Sequence, residues 1–451
     1  MRKLHYLLLC LAIVCTPFLQ TAHAEEGMWI PALLKKLNEQ DMRARGCKLT
    51  ADEIYSINQS SLKDAIVWFD GGCTGELIGR EGLLLTNHHC GFAQIQSHSA
   101  VGRNLIDDGF WAMSKEQELR NPSTTASIMQ RMEDVTTAVQ TELAKLPAAE
   151  QAAGLPKIYA ALSDAAVAGT HFKANIKPLF YGSVHYLYVY EVFTDVRLVG
   201  APPAGIGKFG GDTDNWEWPR HTGDFSLFRI YTGPDGKPAP PADANLAYKP
   251  KRFLKLNLNG IKPGDFTMVY GYPGRTQEYL TSHGVRNIAQ RSNPFKIALR
   301  ARRLDIIAKY SAQSEAVRIQ YAAKQASIAN AWKKWQGEVR GLARLGTIET
   351  KQAEEARLTA WMAQDPTRKA RYGWVLPKLD TLFTTLDAYV LPVEYFREAV
   401  QGTEMLAFAG NFTGLYTLLQ AAPTTEPVPE KALELIKKLE DGLPGFYKNF
   451  Y

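Results

Sequence analysis

The chain has 451 residues, 45% of them hydrophobic and 22% charged, which excludes a disordered protein and leaves room for two or three domains with sizeable cores. Its formal charge is +6 and its lysines and arginines are scattered, so nucleic acid is a poor match as a partner. After Ala24 no run is apolar for long enough to cross a bilayer, and no membrane span is expected.

Met1-Arg2-Lys3, the apolar run from Leu7 to Cys15 and the closing Ala22-His23-Ala24 have the three regions of a secretory signal peptide over residues 1–24. The mature chain is expected to start near Glu25, in the periplasm or outside the cell. Removing the leader takes away Cys10 and Cys15 and leaves Cys47, Cys73 and Cys90. In an oxidising compartment a bridge between Cys73 and Cys90 would leave Cys47 odd; the alternative is three buried thiols.

Residues 25–63 show a helical pattern through Leu33, Leu34 and Leu37, then Leu49-Thr50-Ala51-Asp52-Glu53-Ile54-Tyr55, which reads as a capped helical turn. A strand follows at Ala65 to Phe69. Cys73 to Gly79 and Leu83-Leu84-Leu85 are strand-length runs around Arg80-Glu81-Gly82, so this stretch predicts a β-hairpin. It ends in Thr86-Asn87-His88-His89-Cys90-Gly91, which places imidazole at a strand end.

From Lys115 to Ala168 the pattern turns helical, with Met129, Met132, Val135 and Val139 at three- and four-residue spacing. A second β-rich block covers residues 173–273. In it Val184, Tyr186, Tyr188, Tyr190 and Val192 alternate, Val196 to Val199 continue the run, and strands are predicted at Phe225 to Tyr231, Leu254 to Leu258 and Phe266 to Tyr270. After Gly274 helix formers dominate. Pro366, Pro377 and Pro392 punctuate the run, and Arg300, Arg302, Arg303, Lys309 and Arg318 read as a solvated helix face. The expected division is a leader at 1–24, a β-rich part at 25–275 and a helical part at 276–451.

A histidine fixed at a strand end can act as a general base, since its unperturbed pKa lies near neutrality. Asp224, just before a predicted strand in the same β-rich part, offers a carboxylate to orient it. A histidine followed by a later aspartate is the chain order of chymotrypsin-type enzymes, whose serine comes last. His89 is preferred to His88 because it directly precedes Cys90. A metal site on His88, His89 and Cys90 is disfavoured because adjacent strand residues face opposite ways and no His-Glu-x-x-His helix is present. No metal and no cofactor are expected.

Gly27-Met28-Trp29, Ser61 to Val67, Cys73-Thr74-Gly75-Glu76, Leu85 to Gly91 and Gly211-Asp212-Thr213-Asp214-Asn215-Trp216-Glu217-Trp218-Pro219-Arg220-His221-Thr222-Gly223-Asp224-Phe225 resemble the bacterial exported serine dipeptidyl-peptidases typified by dipeptidyl-peptidases seven and eleven. The resemblance implies a mixed β and α fold: a chymotrypsin-like double β-barrel with a helical domain inserted between the barrels. It implies oligopeptide substrates that lose dipeptides from their amino termini, with His89 as general base and Asp224 as its orienting acid. It also implies capture of the substrate amine by Asn215, Trp216 and Asn330. Amide oxygens accept from an ammonium and an indole face attracts it. A homodimer is a further expectation for the complete protein.

In that family the nucleophile follows the helical insert in a Gly-x-Ser-Gly setting. No serine here has glycine both two before and one after it; Ser183 and Ser226 lie in strand patterns. The expectation is therefore a chain with the first barrel and part of the helical domain, the second barrel absent, and no activity by itself. The alternative is a non-catalytic protein that binds peptide amino termini.

Overall fold

The computed structural model describes residues 28–275, 277–421 and 427–450, so the leader expected at 1–24 lies outside the described residues. The protein is of mixed α/β class, with antiparallel β ladders and a long helical region. Its strands are β1 (Ile66–Phe69), β2 (Cys73–Leu77), β3 (Leu83–Thr86), β4 (Phe110–Trp111), β5 (Leu119–Arg120), β6 (Ala126–Asp134), β7 (Lys173–Leu179), β8 (Val184–Phe193), β9 (Asp195–Ala201), β10 (Ser226–Thr232) and β11 (Leu246–Ala247). The principal helices are α1 (Phe92–Ser97), α2 (Thr136–Leu143), α3 (Ala148–Val167), α4 (Ser282–Asn287), α5 (Asn293–Ser311), α6 (Glu315–Arg344), α7 (Thr347–Ala363) and α8 (Val375–Tyr395). Contacts divide the chain into two compact units. The first takes the described parts of Met1–Val67, Ile128–Glu191 and Lys251–Thr276, the second those of Trp68–Ser127, Val192–Pro250 and Gln277–Tyr451. The β-rich stretch before residue 276 thus contributes to both.

In the first unit, Leu34, Met42, Cys47, Ala51 and Ile54 form a small core under Leu49, Leu62, Phe266 and Tyr270. Thr50 and Glu53 make a reciprocal capping box that starts the helical turn Ala51–Ile54. β7 and β8 pair from Lys173↔Tyr190 to Leu179↔Val184. Their face, with Val139 of α2, makes a second core of Ile176, Leu187 and Val189.

In the second unit the ladder runs β4-β9-β10-β3-β2, with β11 on β10 and β5 on β9. Phe69, Leu77, Leu84, Ile95, Leu198, Phe228 and Ile230 are fully buried here, and the Phe69 and Phe228 rings lie 4.8 Å apart. Gly82 has φ of +64° at the hairpin turn, a conformation that costs glycine little, and its carbonyl accepts from Ile230 N–H. The chain turns helical from Ser282, close to the composition change at Gly274.

Several local readings are corrected. Met129 and Met132 lie on β6, not on a helix; helix begins at Thr136. Met129, Met132, Val135 and Val139 do fall at helical spacing, but Ala126–Asp134 is taken up by the β ladder, and that pairing decided it. Leu254 to Leu258 and Phe266 to Tyr270 join no ladder among the described residues, and Leu256, Leu258 and Val269 are exposed. Pro392 lies inside α8 rather than ending it, followed by a π-helical turn at Phe396–Gln401 whose first N–H reaches the Pro392 carbonyl. The basic residues do not form one solvated face. Arg300 and Arg303 pair with buried Glu398 at 2.9 and 3.1 Å, and Arg300 also lies over the Trp335 ring.

Candidate active site

β3 and β10 are neighbours, and their register sets Thr86 opposite Ser226. The residues that follow β3 and those that precede β10 therefore leave the ladder side by side, so His89 meets Asp224 although 135 residues separate them. His89 Nδ1 lies 2.7 Å from Asp224 Oδ2, and the His89 main-chain N–H donates to Asp224 Oδ1 at 3.0 Å. Asn87 Nδ2 donates to the Asp224 carboxylate at 3.3 Å and to its main-chain carbonyl at 3.2 Å.

This geometry decides the electrostatics. Burial opposes ionisation of Asp224, but the hydrogen bonds and charge of His89 outweigh it and hold the carboxyl below its ordinary value. An ionised Asp224 facing Nδ1 selects the tautomer with its proton there and leaves Nε2 as the basic nitrogen. The His89 side chain is 68% exposed and that of Asp224 19%, so the ring is open to a ligand while its partner is shielded.

His88 points the other way. It is fully buried, packed on Phe92, and a Cβ on Gly207 would lie 2.3 Å from its ring. Burial pushes its imidazole below the ordinary value, against the Asp224 charge and a hydrogen bond to the Pro202 carbonyl, so it stays neutral and serves packing. Cys73 and Cys90 are joined by a disulfide, with Cα atoms 6.1 Å apart, which clasps the hairpin directly behind His89. Cys47 is a buried free thiol. Cys73, His89 and Cys90 gather within 4.8 Å, a spacing that would suit a metal ion. Both sulfurs are spent in the disulfide, however, and offer no thiolate.

The segment from Ile206 to Asp224 forms a closed loop. Gly223 N–H donates to the Ile206 carbonyl at 3.0 Å and Thr222 Oγ1 to the Phe209 carbonyl at 2.8 Å. The loop presents Asn215 and Trp216 to α6. Asn215 Nδ2 donates to Asn330 Oδ1 at 2.9 Å, while Trp216 Nε1 reaches both Asn330 Oδ1 at 2.9 Å and its main-chain carbonyl at 3.0 Å. Trp216 adopts φ of +59°, sterically costly for a bulky residue, and these bonds hold it there. Trp216 and Asn330 are exposed and Asn215 is half-buried. Arg220 Nη1 donates to Asn215 Oδ1 at 2.8 Å, which leaves that oxygen one lone pair. Glu217 is pinned by Lys333 at 3.0 Å and Arg340 at 3.2 Å, tying the same loop further along α6.

His89, Asp224, Asn215, Trp216 and Asn330 all lie in the second unit, in two clusters: base with acid, and the Asn-Trp-Asn group. Sequence reasoning gave no task to Asn87, Arg220 or Glu217. Each lies within a quoted motif, but nothing in the residue pattern names its partner.

Residues 24–449 match the peptidase S46 family. The chain is 42% identical over 436 residues to a protein of Flavobacterium psychrophilum named Asp/Glu-specific dipeptidyl-peptidase, a match that covers 96% of this chain and 60% of that one. It is 41% identical over 384 residues to a dipeptidyl-peptidase 7 of Capnocytophaga gingivalis, covering 85% and 53%. Among solved structures, Porphyromonas endodontalis DPP11 in complex with the dipeptide Arg-Glu superposes with a TM-score of 0.82 at 35% identity, over 95% of this chain and 61% of that one. The chain thus spans about half to three fifths of the length of these relatives. With the family match running through nearly all of its residues, the protein belongs to the peptidase S46 family.

Proposed function

We propose that this chain carries the general base and the substrate anchor of a serine-type dipeptidyl-peptidase that acts in the periplasm or outside the cell. The observation that carries the reading is the 2.7 Å contact of His89 with Asp224, in the same unit as the Asn215–Trp216–Asn330 cluster. On this reading the β4-β9-β10-β3-β2 ladder belongs to the first barrel of a chymotrypsin-like pair and the helices from Ser282 onward to the insert. A relative's complex with a dipeptide supports peptides as the ligand class.

The chemistry follows from the geometry. The ammonium of a peptide settles against the Trp216 indole and the Asn215 and Asn330 oxygens, and displaces a donor now held by Asn330 Oδ1. The peptide then extends toward His89. There Nε2 takes the proton of an attacking hydroxyl, and the Asp224 carboxylate stabilises the imidazolium that forms. The 451 residues contain no Gly-x-Ser-Gly, so the proposal gives this chain the base, the orienting acid and the anchor, and not the nucleophile.

The expected behaviour of the 451-residue chain is no turnover of dipeptidyl chromogenic substrates. By calorimetry it binds short peptides with a free amino terminus at least about tenfold more tightly than their acetylated forms, the worth of one charge-assisted hydrogen bond. Equal or undetectable heats for both would remove the anchor; burst labelling by a fluorophosphonate would show that a nucleophile is present after all. A second reading, a non-catalytic binder of peptide amino termini, is favoured by the presence of all three anchor residues in a chain without that serine motif.

A further inference from the structure

Helix α6 meets the rest of its unit at successive stations. Near its start Arg318 pairs with Asp107 at 2.7 Å. Next, Gln96 of α1 reaches the α6 main chain itself: Nε2 donates to the Gln320 carbonyl at 2.8 Å and Oε1 accepts from Ala323 N–H at 2.7 Å. About 10 Å further along, at ~1.5 Å per residue, Asn330 meets Asn215 and Trp216. These links close a ring. It runs from His89 to Asp224, back along the loop to Trp216, across to Asn330, down α6 to Ala323, across to Gln96, and along α1 to His89.

Gln96 is the one junction in this ring that holds neither the base nor the anchor. It bonds an N–H and a carbonyl that a helix interior ordinarily pairs within itself, so it fixes the rotation and register of α6 rather than mere proximity. Its own helix is immobilised from another side: Ile95 is fully buried, and Gln94 Nε2 donates to Asp70 at 3.0 Å and to Thr124 at 2.8 Å. The neighbouring Arg318–Asp107 pair is two-pronged but half exposed, and as a contact between two long, solvated side chains it constrains the helix main chain less directly.

We propose that Gln96 is a positioning residue that sets the separation between the His89 imidazole and Asn330, and with it which peptide bond, counted from the amino terminus, faces the base. An extended peptide advances about 3.5 Å per residue, so a shift of α6 by that amount moves the register by one bond. The proposal rests on the reading of Asn215, Trp216 and Asn330 as the amine anchor.

The test uses the full 451-residue chain with nitroxides on two exposed positions outside the site, Arg80→Cys and Ser327→Cys, with Cys10→Ser, Cys15→Ser and Cys47→Ser to avoid stray labelling. In the parent the distance distribution between the labels should be narrow. In Gln96→Ala it should broaden or shift by at least about 3 Å, the scale of one residue of register. In the same variant without labels, affinity for a free-amine tripeptide should fall at least fivefold while near-ultraviolet dichroism and the Cys73–Cys90 bridge are unchanged. Gln96→Glu keeps the acceptor but sets a carboxylate against the Gln320 carbonyl; it should behave like the alanine variant and serves if that one fails to fold. An unchanged, narrow distribution with unchanged affinity in either folded variant overturns the positioning role. If the parent does not discriminate free from acetylated peptides, the anchor reading fails, and the label distances still decide whether Gln96 sets the spacing.

Discussion

The two clusters of the candidate site are built in opposite ways. His89 and Asp224 sit at the ends of adjacent strands, so one ladder register, Thr86↔Ser226, brings them together, and a disulfide one residue away secures the loop. Asn215, Trp216 and Asn330 come from a loop without regular structure and the middle of a long helix, and they meet only because α6 is held at several other points. A catalytic pair can thus be specified locally by sheet pairing, whereas a substrate anchor placed on another element takes its accuracy from packing elsewhere. The base should therefore be sensitive to changes in the hairpin, and the anchor to changes along α6.

The largest effect is expected where the hairpin clasp is removed. Replacing both Cys73 and Cys90 by alanine opens a loop with a sequence separation of 17 and should cost about 3 kcal/mol, read as a lower urea midpoint. Peptide affinity measured below the new transition should change little, since the anchor does not depend on the clasp. Next in size, Asn330→Ala should cost about 1.5–3 kcal/mol of binding to free-amine peptides and abolish their preference over acetylated ones, with a small effect on folding because the residue is exposed.

Asp224→Asn acts on the base cluster. It weakens charge-assisted bonds from His89 and Asn87 and should destabilise the fold by about 1–2 kcal/mol near neutral pH. The sign of its pH dependence follows from a carboxyl held low in the folded state. Its contribution is fully present above the unfolded value near ~3.9 and is lost as pH falls through the folded value. Denaturation midpoints should therefore lose this component only below about pH 4 in the parent, and the asparagine variant should lack it. His88 supplies a separate acid-side component. Its folded imidazole resists protonation, so below about pH 6.5 the unfolded chain takes up a proton that the folded one refuses, and stability declines. The smallest effect is expected for Arg340→Ala, which removes one exposed ion pair to Glu217 and should leave the urea midpoint essentially unchanged. A larger loss there would mean that the loop depends on this tie more than on Lys333.

The same contrast explains what the residues disclosed before any coordinates. The hairpin, the capped turn at Thr50 and the start of helix after Gly274 follow from periodicity and turn chemistry, which are local. The pairing of β3 with β10 could be guessed from the His-then-Asp order, but its register could not. Met129 and Met132 share a three- to four-residue spacing with Val135 and Val139 that suggests a helix, and only a neighbouring strand shows that the first two lie on β6. Asn330 carries no local mark at all: on pattern alone it is one polar residue on an amphipathic helix, and its place beside Trp216 follows from how α6 packs. Gln96 is equally silent, because a side chain that bonds another helix's main chain leaves no trace in residue type.

The central claim is that base and anchor address one and the same peptide. It is tested most directly by following the imidazole ¹⁵N signals of His89 while the chain is titrated with a dipeptide amide, once with a free amino terminus and once acetylated. The account predicts that the free-amine ligand shifts the His89 signals as it saturates the anchor, and that the shift disappears in Asn330→Ala. Binding of the free-amine ligand with His89 unmoved would contradict it.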